Sequence, residues 1–294
     1  MTRDVWTMAL VAGLAWGVIG LVRPGGAIAQ SPGPKGTEVL RDLAYLPSAH
    51  RLQTLDLYLP PGEGVRALVV YIHGGGWESG DKANPAAMGM LWEKSMALAS
   101  INYRLSGVAP FPAQLEDCKA AIRWLRVNAA RYRLDPDRIG VWGNSAGGHL
   151  AALVAVTADE PRFDIGPNKK TSCAVSAVVD CYGPTDLSLY RTSRPDDTLG
   201  RLFRGAIQNR TAQVQAANPI AYVSKDREIP PIFIAHGDAD RIVPLEHSEK
   251  FEAALTAAGK RVTLQVMPRQ GHSVITREAE ADARKFLREA LSAR

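Results

Sequence analysis

Short apolar runs alternate with longer stretches of helical spacing from about residue 40 to the end of the chain. Helical spacing of the apolar positions predicts helices near residues 113–132, 146–157, 246–258 and 277–292. The apolar runs, rich in β-branched residues, predict strands at residues 53–58, 67–72, 96–103, 138–142, 174–179, 231–235 and 261–266. This alternation predicts an α/β fold with a mostly parallel, doubly wound sheet and helices on both of its faces.

One segment, at about residues 182–228, does not follow the alternation and shows only fragments of helical spacing. A long connection after a strand is usually functional or disordered, so we expect an insertion that forms a lid or a wall above the sheet. Five aromatic side chains, four of them in this insertion, are candidates for contact with a substrate. They are Trp77, Tyr182, Tyr190, Phe203 and Tyr222.

The first residues differ from the rest of the chain. Arg3 precedes an apolar stretch at residues 5–22, and small residues at 27–29 follow the break that begins at Pro24. This pattern predicts a signal peptide at residues 1–29, then a linker at 30–39 and one catalytic domain at 40–294. We therefore expect export to the periplasm or the medium, without stable membrane insertion after processing. The alternative is an uncleaved anchor, because the apolar stretch is nearly long enough to span a bilayer.

The charge of the chain and its cysteines indicate which partners and which disulfides to expect. The 294 residues carry a formal net charge of +5, spread along the chain rather than clustered, so we expect no nucleic-acid partner. Three cysteines cannot all pair within the chain. Cys173 and Cys181 bracket the predicted strand at 174–179 and would lie roughly 26 Å apart, too far for a disulfide. A bridge between Cys118 and Cys181 remains open, with a buried free thiol at Cys118 as the alternative.

The strongest chemical motif is GNSAGG at residues 143–148, between a predicted strand and a small-residue helix. This is the setting of a nucleophile elbow, in which glycines permit a sharp strand-to-helix reversal and the serine hydroxyl is exposed. The motif predicts Ser145 as a nucleophile. Such a serine also needs backbone donors for the oxyanion that forms on attack. The run HGGGW at residues 73–77 supplies Gly75 and Gly76, which we expect to act with the N–H of Ala146.

A general base and an acid that orients it should follow the serine, each after a strand. His272 follows the strand at 261–266, and Asp240 follows the strand at 231–235, which predicts a Ser145, Asp240 and His272 triad. Asp238 is expected to brace the same loop by bonding its backbone. Asp180 is the reserve candidate for the acid.

The resemblance to a known family rests on five motifs. They are HGGGW at 73–77, FPAQLED at 111–117, DPDRIGVWGNSAGGH at 135–149, YGPTDL at 182–187 and HGDADRIVP at 236–244. Together they resemble the esterase/lipase branch of the α/β-hydrolases that contains bacterial feruloyl and acetyl-xylan esterases. The resemblance implies an α/β-hydrolase sheet, the same triad and oxyanion glycines, and no cofactor or metal. The HGGG run is shared with hormone-sensitive-lipase-like esterases, and the form of the HGGGW run is also similar to kynurenine formamidases.

The residues and the resemblance together predict a serine hydrolase that cleaves carboxylic esters through an acyl-enzyme. The substrate class expected for an exported enzyme of this kind is a small ester or an acetyl or feruloyl ester linked to plant polysaccharide. The alternatives are a peptidase or amidase, an enzyme like kynurenine formamidase, and a non-catalytic binding protein with a hydrolase fold.

Overall fold

The computed structural model describes residues 33–47, 50–93, 96–191 and 193–292, so the predicted signal peptide lies outside the described residues. No helix of this part of the chain is both long and apolar enough to cross a membrane. The strands of the described residues are β1 (Glu38–Ala44), β2 (Thr54–Leu59), β3 (Arg66–Ile72), β4 (Met96–Ile101), β5 (Leu134–Asn144), β6 (Ala177–Cys181), β7 (Ile232–Gly237) and β8 (Val262–Met267). The α-helices are α1 (Ala113–Val127), α2 (Ala146–Val156), α3 (Thr198–Phe203), α4 (Thr211–Ala216), α5 (Glu246–Ala257) and α6 (Arg277–Ala290).

The strands form one sheet in the order β1-β2-β4-β3-β5-β6-β7-β8. β1 and β2 are antiparallel to their neighbours, and every pair from β4 to β8 is parallel. A parallel sheet needs both faces covered, which explains why β3 and β7 are buried along their whole length. The predicted mostly parallel sheet is confirmed.

Two apolar clusters cover the two faces of this sheet. One contains the buried sides of α1 and α5 and the apolar side chains of α2, a helix that is buried on all sides. The other is built around α6, where Ala279, Ala283 and Leu287 repeat every four residues and form a buried stripe. The predicted doubly wound arrangement is thereby confirmed.

The structure differs from the sequence predictions at the start of the domain. Residues 38 and 39, assigned to the linker, already belong to β1, which pairs with β2 in antiparallel fashion. The pattern missed this strand because β1 lies at the sheet edge and most of its side chains are exposed, leaving no buried run to detect.

The sixth strand begins three residues later than predicted, at Ala177 instead of 174. Cys181 therefore ends the strand rather than following it. All three cysteines are free and buried. Cys118 packs in the cluster on one face of the sheet and Cys181 in the cluster on the other, so the sheet itself separates the two thiols and the open alternative of a bridge is wrong.

The connection between β6 and β7 contains two short α-helices, α3 and α4, with one turn of 3₁₀ helix between them, one before α3 and one after α4. It crosses the carboxyl ends of the strands, because Tyr182, Tyr190, Thr198 and Leu199 line a cavity that also contains the residues after β3 and β5. The expected wall above the sheet is therefore made of short helical pieces. We refer to residues 182–228 as the wall segment.

Candidate active site

Ser145 lies in the sharp turn between β5 and α2. Its backbone has φ 55° and ψ −120°, a region that costs a non-glycine residue about 1–3 kcal/mol. The flanking glycines explain how this turn packs: a Cβ at Gly143 would lie 2.0 Å from the carbonyl oxygen of Gly147, and a Cβ at Gly147 would lie 2.1 Å from that of Ile72. The turn predicted from GNSAGG is present, with the serine at its apex.

A continuous chain of hydrogen bonds joins the three predicted triad residues. His272 Nε2 lies 2.8 Å from Ser145 Oγ, and His272 Nδ1 lies 2.7 Å from Asp240 Oδ2. An ionised carboxylate only accepts, so the proton of the neutral ring resides on Nδ1 and Nε2 is free to accept from the serine hydroxyl. The arrangement therefore holds the imidazole in the tautomer that a general base requires.

The carboxylate of Asp240 is buried but well supplied with donors. Its Oδ1 accepts the backbone N–H groups of Ile242 and Val243 at 2.9 and 3.0 Å, while its Oδ2 faces His272. Burial alone would raise the pKa of Asp240, but the hydrogen bonds from His272 and the two backbone amides outweigh it and hold the pKa below its usual value. Asp240 is therefore ionised beside the imidazole at neutral pH.

The carboxylates of Asp238 and Asp180 accept hydrogen bonds from backbone N–H groups. Asp238 Oδ1 accepts the backbone N–H of Arg269 at 2.5 Å, so Asp238 joins the loops that carry Asp240 and His272. Asp180 is fully buried, and its Oδ1 accepts the N–H of Gly183 at 2.9 Å. Burial raises the pKa of Asp180 to about 7. Asp180, the reserve candidate for the acid, therefore bonds to backbone and not to His272 in the described residues.

The glycine turn after β3 lies directly against the serine. A Cβ at Gly74 would be 2.8 Å from the carbonyl oxygen of Asn144 and 3.3 Å from Ser145 Cβ, so only glycine permits this approach. Gly75 and Gly76 have φ of 104° and 60°, which favours glycine. Within the described residues their N–H groups form no internal hydrogen bond.

The N–H of Ala146 opens helix α2 and so has no acceptor inside that helix. Ala146 lines the same cavity as Ser145, Gly75 and Gly76. These three backbone amides are available to a negative oxygen that forms next to the serine.

The cavity at the serine has a volume of about 590 Å³, within the range of small-molecule sites. Three of the five aromatic residues predicted to contact a substrate line it, namely Trp77, Tyr182 and Tyr190. Tyr182 also packs edge-on against His272, with ring centroids 5.0 Å apart.

The other two aromatic predictions require correction, since neither side chain is part of the cavity wall. Phe203 is buried in the core, with its ring 6.1 Å from that of Phe111. Tyr222 donates its hydroxyl to the carbonyl of Ala216 at 2.8 Å and belongs to the same core. Both stabilise the wall segment from beneath instead of facing the cavity.

The sequence analysis missed several residues that line the cavity. Most lie within a motif or directly after a motif or triad residue, so that position could have indicated them: Glu78, Ser79, Asn144, Ile242, Val243 and Ser273. Thr198 and Leu199, on α3, had no such signal. A Cβ at Gly76 would lie 3.0 Å from Thr198 Cγ2, which shows how closely α3 covers the glycine turn. Arg201 of the same helix donates to Glu78 Oε2 at 2.6 Å.

Groups of three or more side chains able to hold a metal ion do not occur in the part of the chain that the structure describes. The groups that meet at the cavity include the Ser145 hydroxyl, the His272 imidazole with Asp240 bonded to its Nδ1, and the backbone amides of Gly75, Gly76 and Ala146.

Comparison with known proteins decides the family. Residues 55–255, more than half of the chain, match the family model BD-FAE. The chain belongs to the BD-FAE family. This BD-FAE protein is 32% identical over 252 residues to the probable carboxylic ester hydrolase LipM of Mycobacterium tuberculosis and 34% identical over 260 residues to the esterase LipQ of that organism. These alignments cover 81% and 80% of this chain, but only 58% and 61% of the relatives' own length.

Solved structures of esterases share the fold of this BD-FAE protein. A truncated carbohydrate esterase from gut microbiota is 30% identical, with a TM-score of 0.81 over 88% of this chain and 99% of that one. Esterase 2 of Thermogutta terrifontis phosphorylated by paraoxon is 26% identical, with a TM-score of 0.69 over 87% of this chain and 94% of that one. The predicted α/β-hydrolase fold and the resemblance to its esterase branch are confirmed.

Proposed function

We propose that this BD-FAE protein is a serine hydrolase that cleaves carboxylic esters, with Ser145 as nucleophile, His272 as general base and Asp240 as the residue that orients the base. The observation that carries the proposal is the hydrogen-bond chain from Ser145 through His272 to Asp240, with distances of 2.8 and 2.7 Å. Its relatives are carboxylic ester hydrolases and esterases, which agrees with this reading.

In the first half of the reaction, Ser145 Oγ attacks the ester carbonyl while His272 Nε2 takes its proton. Negative charge then moves to the carbonyl oxygen. The amides of Gly75, Gly76 and Ala146 supply the donors that stabilise it. The imidazolium is stabilised by the ionised Asp240.

Collapse of the tetrahedral intermediate breaks the bond to the alcohol, and His272 returns its proton to the departing oxygen. Water then attacks the acyl carbon while the same nitrogen takes its proton. Collapse of this second intermediate breaks the bond to Ser145 Oγ, which takes the proton back from His272 as the acid leaves. One imidazole serves both halves because its position between Ser145 and Asp240 does not need to change.

The decisive experiment compares the wild type with Ser145→Ala on p-nitrophenyl acetate. The expected loss in kcat is on the order of a millionfold. Equal rates for the two proteins would overturn the assignment, and no turnover by the wild type on any ester would favour the binding-protein alternative.

Covalent labelling gives an independent readout. Because the Thermogutta esterase is phosphorylated by paraoxon, we expect wild-type protein to gain one diethylphosphoryl group on Ser145. Ser145→Ala should gain none, and mass spectrometry of the peptide containing residue 145 distinguishes the two. Labelling of both proteins alike would place the reactive group elsewhere.

The proposed substrates are small external esters or acetyl and feruloyl esters on plant polysaccharide. Support comes from the similarity to the carbohydrate esterase of gut microbiota and from the cavity, which has room for an acyl group and part of an alcohol. Assays should include acetylated xylan, methyl ferulate, aryl esters, anilides and N-formylkynurenine. Faster turnover of an anilide or of N-formylkynurenine than of every ester would favour the peptidase or formamidase alternative.

The proposal includes export after cleavage behind Ala29, supported by the residue pattern at 1–29. Expression of the full chain, fractionation and amino-terminal sequencing test this part. A protein that keeps residues 1–29 in the membrane fraction would support the anchor instead.

A further inference from the structure

Trp77, at the end of the glycine turn, has a backbone conformation that needs outside support. Its φ of 58° lies in the left-handed region, which is uncommon for a bulky side chain. Such a conformation persists only when surrounding contacts enforce it. The turn that carries the proposed oxyanion donors therefore depends on what holds Trp77 in place.

His149 holds the indole of Trp77. The two rings meet edge to face, with centroids 5.1 Å apart and an interplanar angle of 84°. The indole N–H lies 3.2 Å from His149 Nδ1, and His149 Nε2 lies 2.7 Å from the carbonyl oxygen of Ala217. His149 is completely buried in helix α2.

These partners fix the protonation of the imidazole. The indole nitrogen can only donate, so Nδ1 must accept and carries no proton. A carbonyl oxygen can only accept, so Nε2 must carry the proton and donate it to Ala217. Burial lowers the pKa of His149 to about 4, which keeps the ring neutral as both hydrogen bonds require.

His149 connects three parts of the site. It belongs to the helix that starts after Ser145, its Nδ1 reaches the glycine turn through Trp77, and its Nε2 reaches the wall segment at Ala217. We propose that His149 is a positioning residue for ester hydrolysis, because it holds the Gly75–Gly76–Trp77 turn at the distance from Ser145 that the oxyanion requires. This inference rests on the proposed function and adds one side chain, His149, to the three of the triad.

Two substitutions separate the two hydrogen bonds of His149. The Oδ1 of asparagine stands as many bonds from Cα as Nδ1 of histidine, so His149→Asn keeps an acceptor for Trp77 and loses the donor to Ala217. The Nε2 of glutamine matches that of histidine, so His149→Gln keeps the donor to Ala217 and has no acceptor at the Nδ1 position. Each variant loses one buried hydrogen bond, which makes them matched controls for stability.

We expect His149→Gln to lower kcat on p-nitrophenyl acetate by about 10- to 100-fold with little change in KM, because misplaced oxyanion donors affect the transition state and not the bound ester. His149→Asn should retain kcat within about threefold of the wild type, since the oxyanion turn keeps its anchor. Trp77→Phe should lower kcat as His149→Gln does, and the double variant should lose no more than either single one.

Nitrogen NMR of the imidazole reports the arrangement without turnover. The wild type should show a protonated Nε2 and an unprotonated Nδ1 at His149, and the reverse tautomer would overturn the inference. Equal losses of kcat in His149→Asn and His149→Gln, or full kcat in His149→Gln, would also overturn it while leaving the proposed function intact. A wild type inactive on every ester would instead refute the proposed function, and this inference with it.

Discussion

The role of Asp240 can be tested by a change of a single atom, Asp240→Asn. In the structure Oδ1 accepts two backbone N–H groups, from Ile242 and Val243, and these bonds hold an oxygen at that position. The asparagine NH₂ must then face His272 Nδ1. Two donors cannot meet, so the imidazole changes tautomer and places its proton on Nε2, where it can no longer accept from Ser145.

The expected loss of kcat is about 10⁴-fold, by analogy with the same change in other serine triads. This corresponds to about 5 kcal/mol of transition-state stabilisation. Steady-state kinetics with p-nitrophenyl acetate measure the loss, and circular dichroism checks that the variant folds.

Asp238→Asn is the matched control, because it lies on the same loop and keeps an oxygen to accept from Arg269. Its kcat should stay close to that of the wild type. If Asp240→Asn retains kcat within about tenfold of the wild type, the tautomer argument is refuted. If Asp180→Asn then shows the large loss instead, the acid is at the end of β6.

Three further outcomes follow from the packing. Gly147→Ala should destabilise the fold by about 3 kcal/mol or more, because its Cβ would lie 2.1 Å from a backbone carbonyl oxygen. Gly107→Ala, whose Cβ meets no described atom within 4 Å, should leave the thermal midpoint unchanged. The pKa of Asp180 is raised to about 7 in the folded protein, so the fold favours the protonated carboxyl. The stability that this carboxyl contributes is complete below the pKa of the unfolded chain, near 3.9, and is lost as pH rises through about 7. The stability of Asp180→Asn relative to the wild type should therefore rise as pH increases from about 4 to about 7, by about 4 kcal/mol at most, and level off above that. A difference independent of pH would contradict this. Phe203→Ala should cost about 3–5 kcal/mol of unfolding free energy. Tyr190→Ala, at the cavity wall, should instead raise KM with a smaller loss of stability, as denaturant titration and kinetics will show.

The glycines of the predicted motifs share one property, which is that close contact with backbone leaves no room for a side chain. A Cβ at Gly143 or Gly147 would lie 2.0 or 2.1 Å from a backbone carbonyl oxygen, and a Cβ at Gly74 would lie 2.8 Å from that of Asn144. Such positions admit few residue types, so the motif itself carries the geometry. The strand-end loops of a parallel sheet then lie at one edge, which is why the order of motifs along the chain was enough to select Asp240 and His272.

The wall segment shows where prediction from sequence reached its limit. Four aromatic residues of this segment were predicted to contact a substrate, yet Tyr182 and Tyr190 line the cavity whereas Phe203 and Tyr222 do not. The helices here are a turn or two long, so no periodicity reveals which side is buried. The contact of Thr198 with Gly76 depends on tertiary packing alone and has no counterpart in the local sequence.

Asp180 shows why a strand boundary matters to the choice of the catalytic acid. The predicted strand ended at residue 179, which placed Asp180 at its end and made it the reserve candidate for the acid. In the structure it lies inside β6, paired with Gly143 on one side and Ile234 on the other. A ladder position fixes the side chain to one face of the sheet. Its Oδ1 lies 2.2 Å from where a Cβ at Gly148 would stand, so the carboxyl points under helix α2. Asp240 and His272 lie beyond their strands, and only residues in such loops are free to bend across the edge toward Ser145.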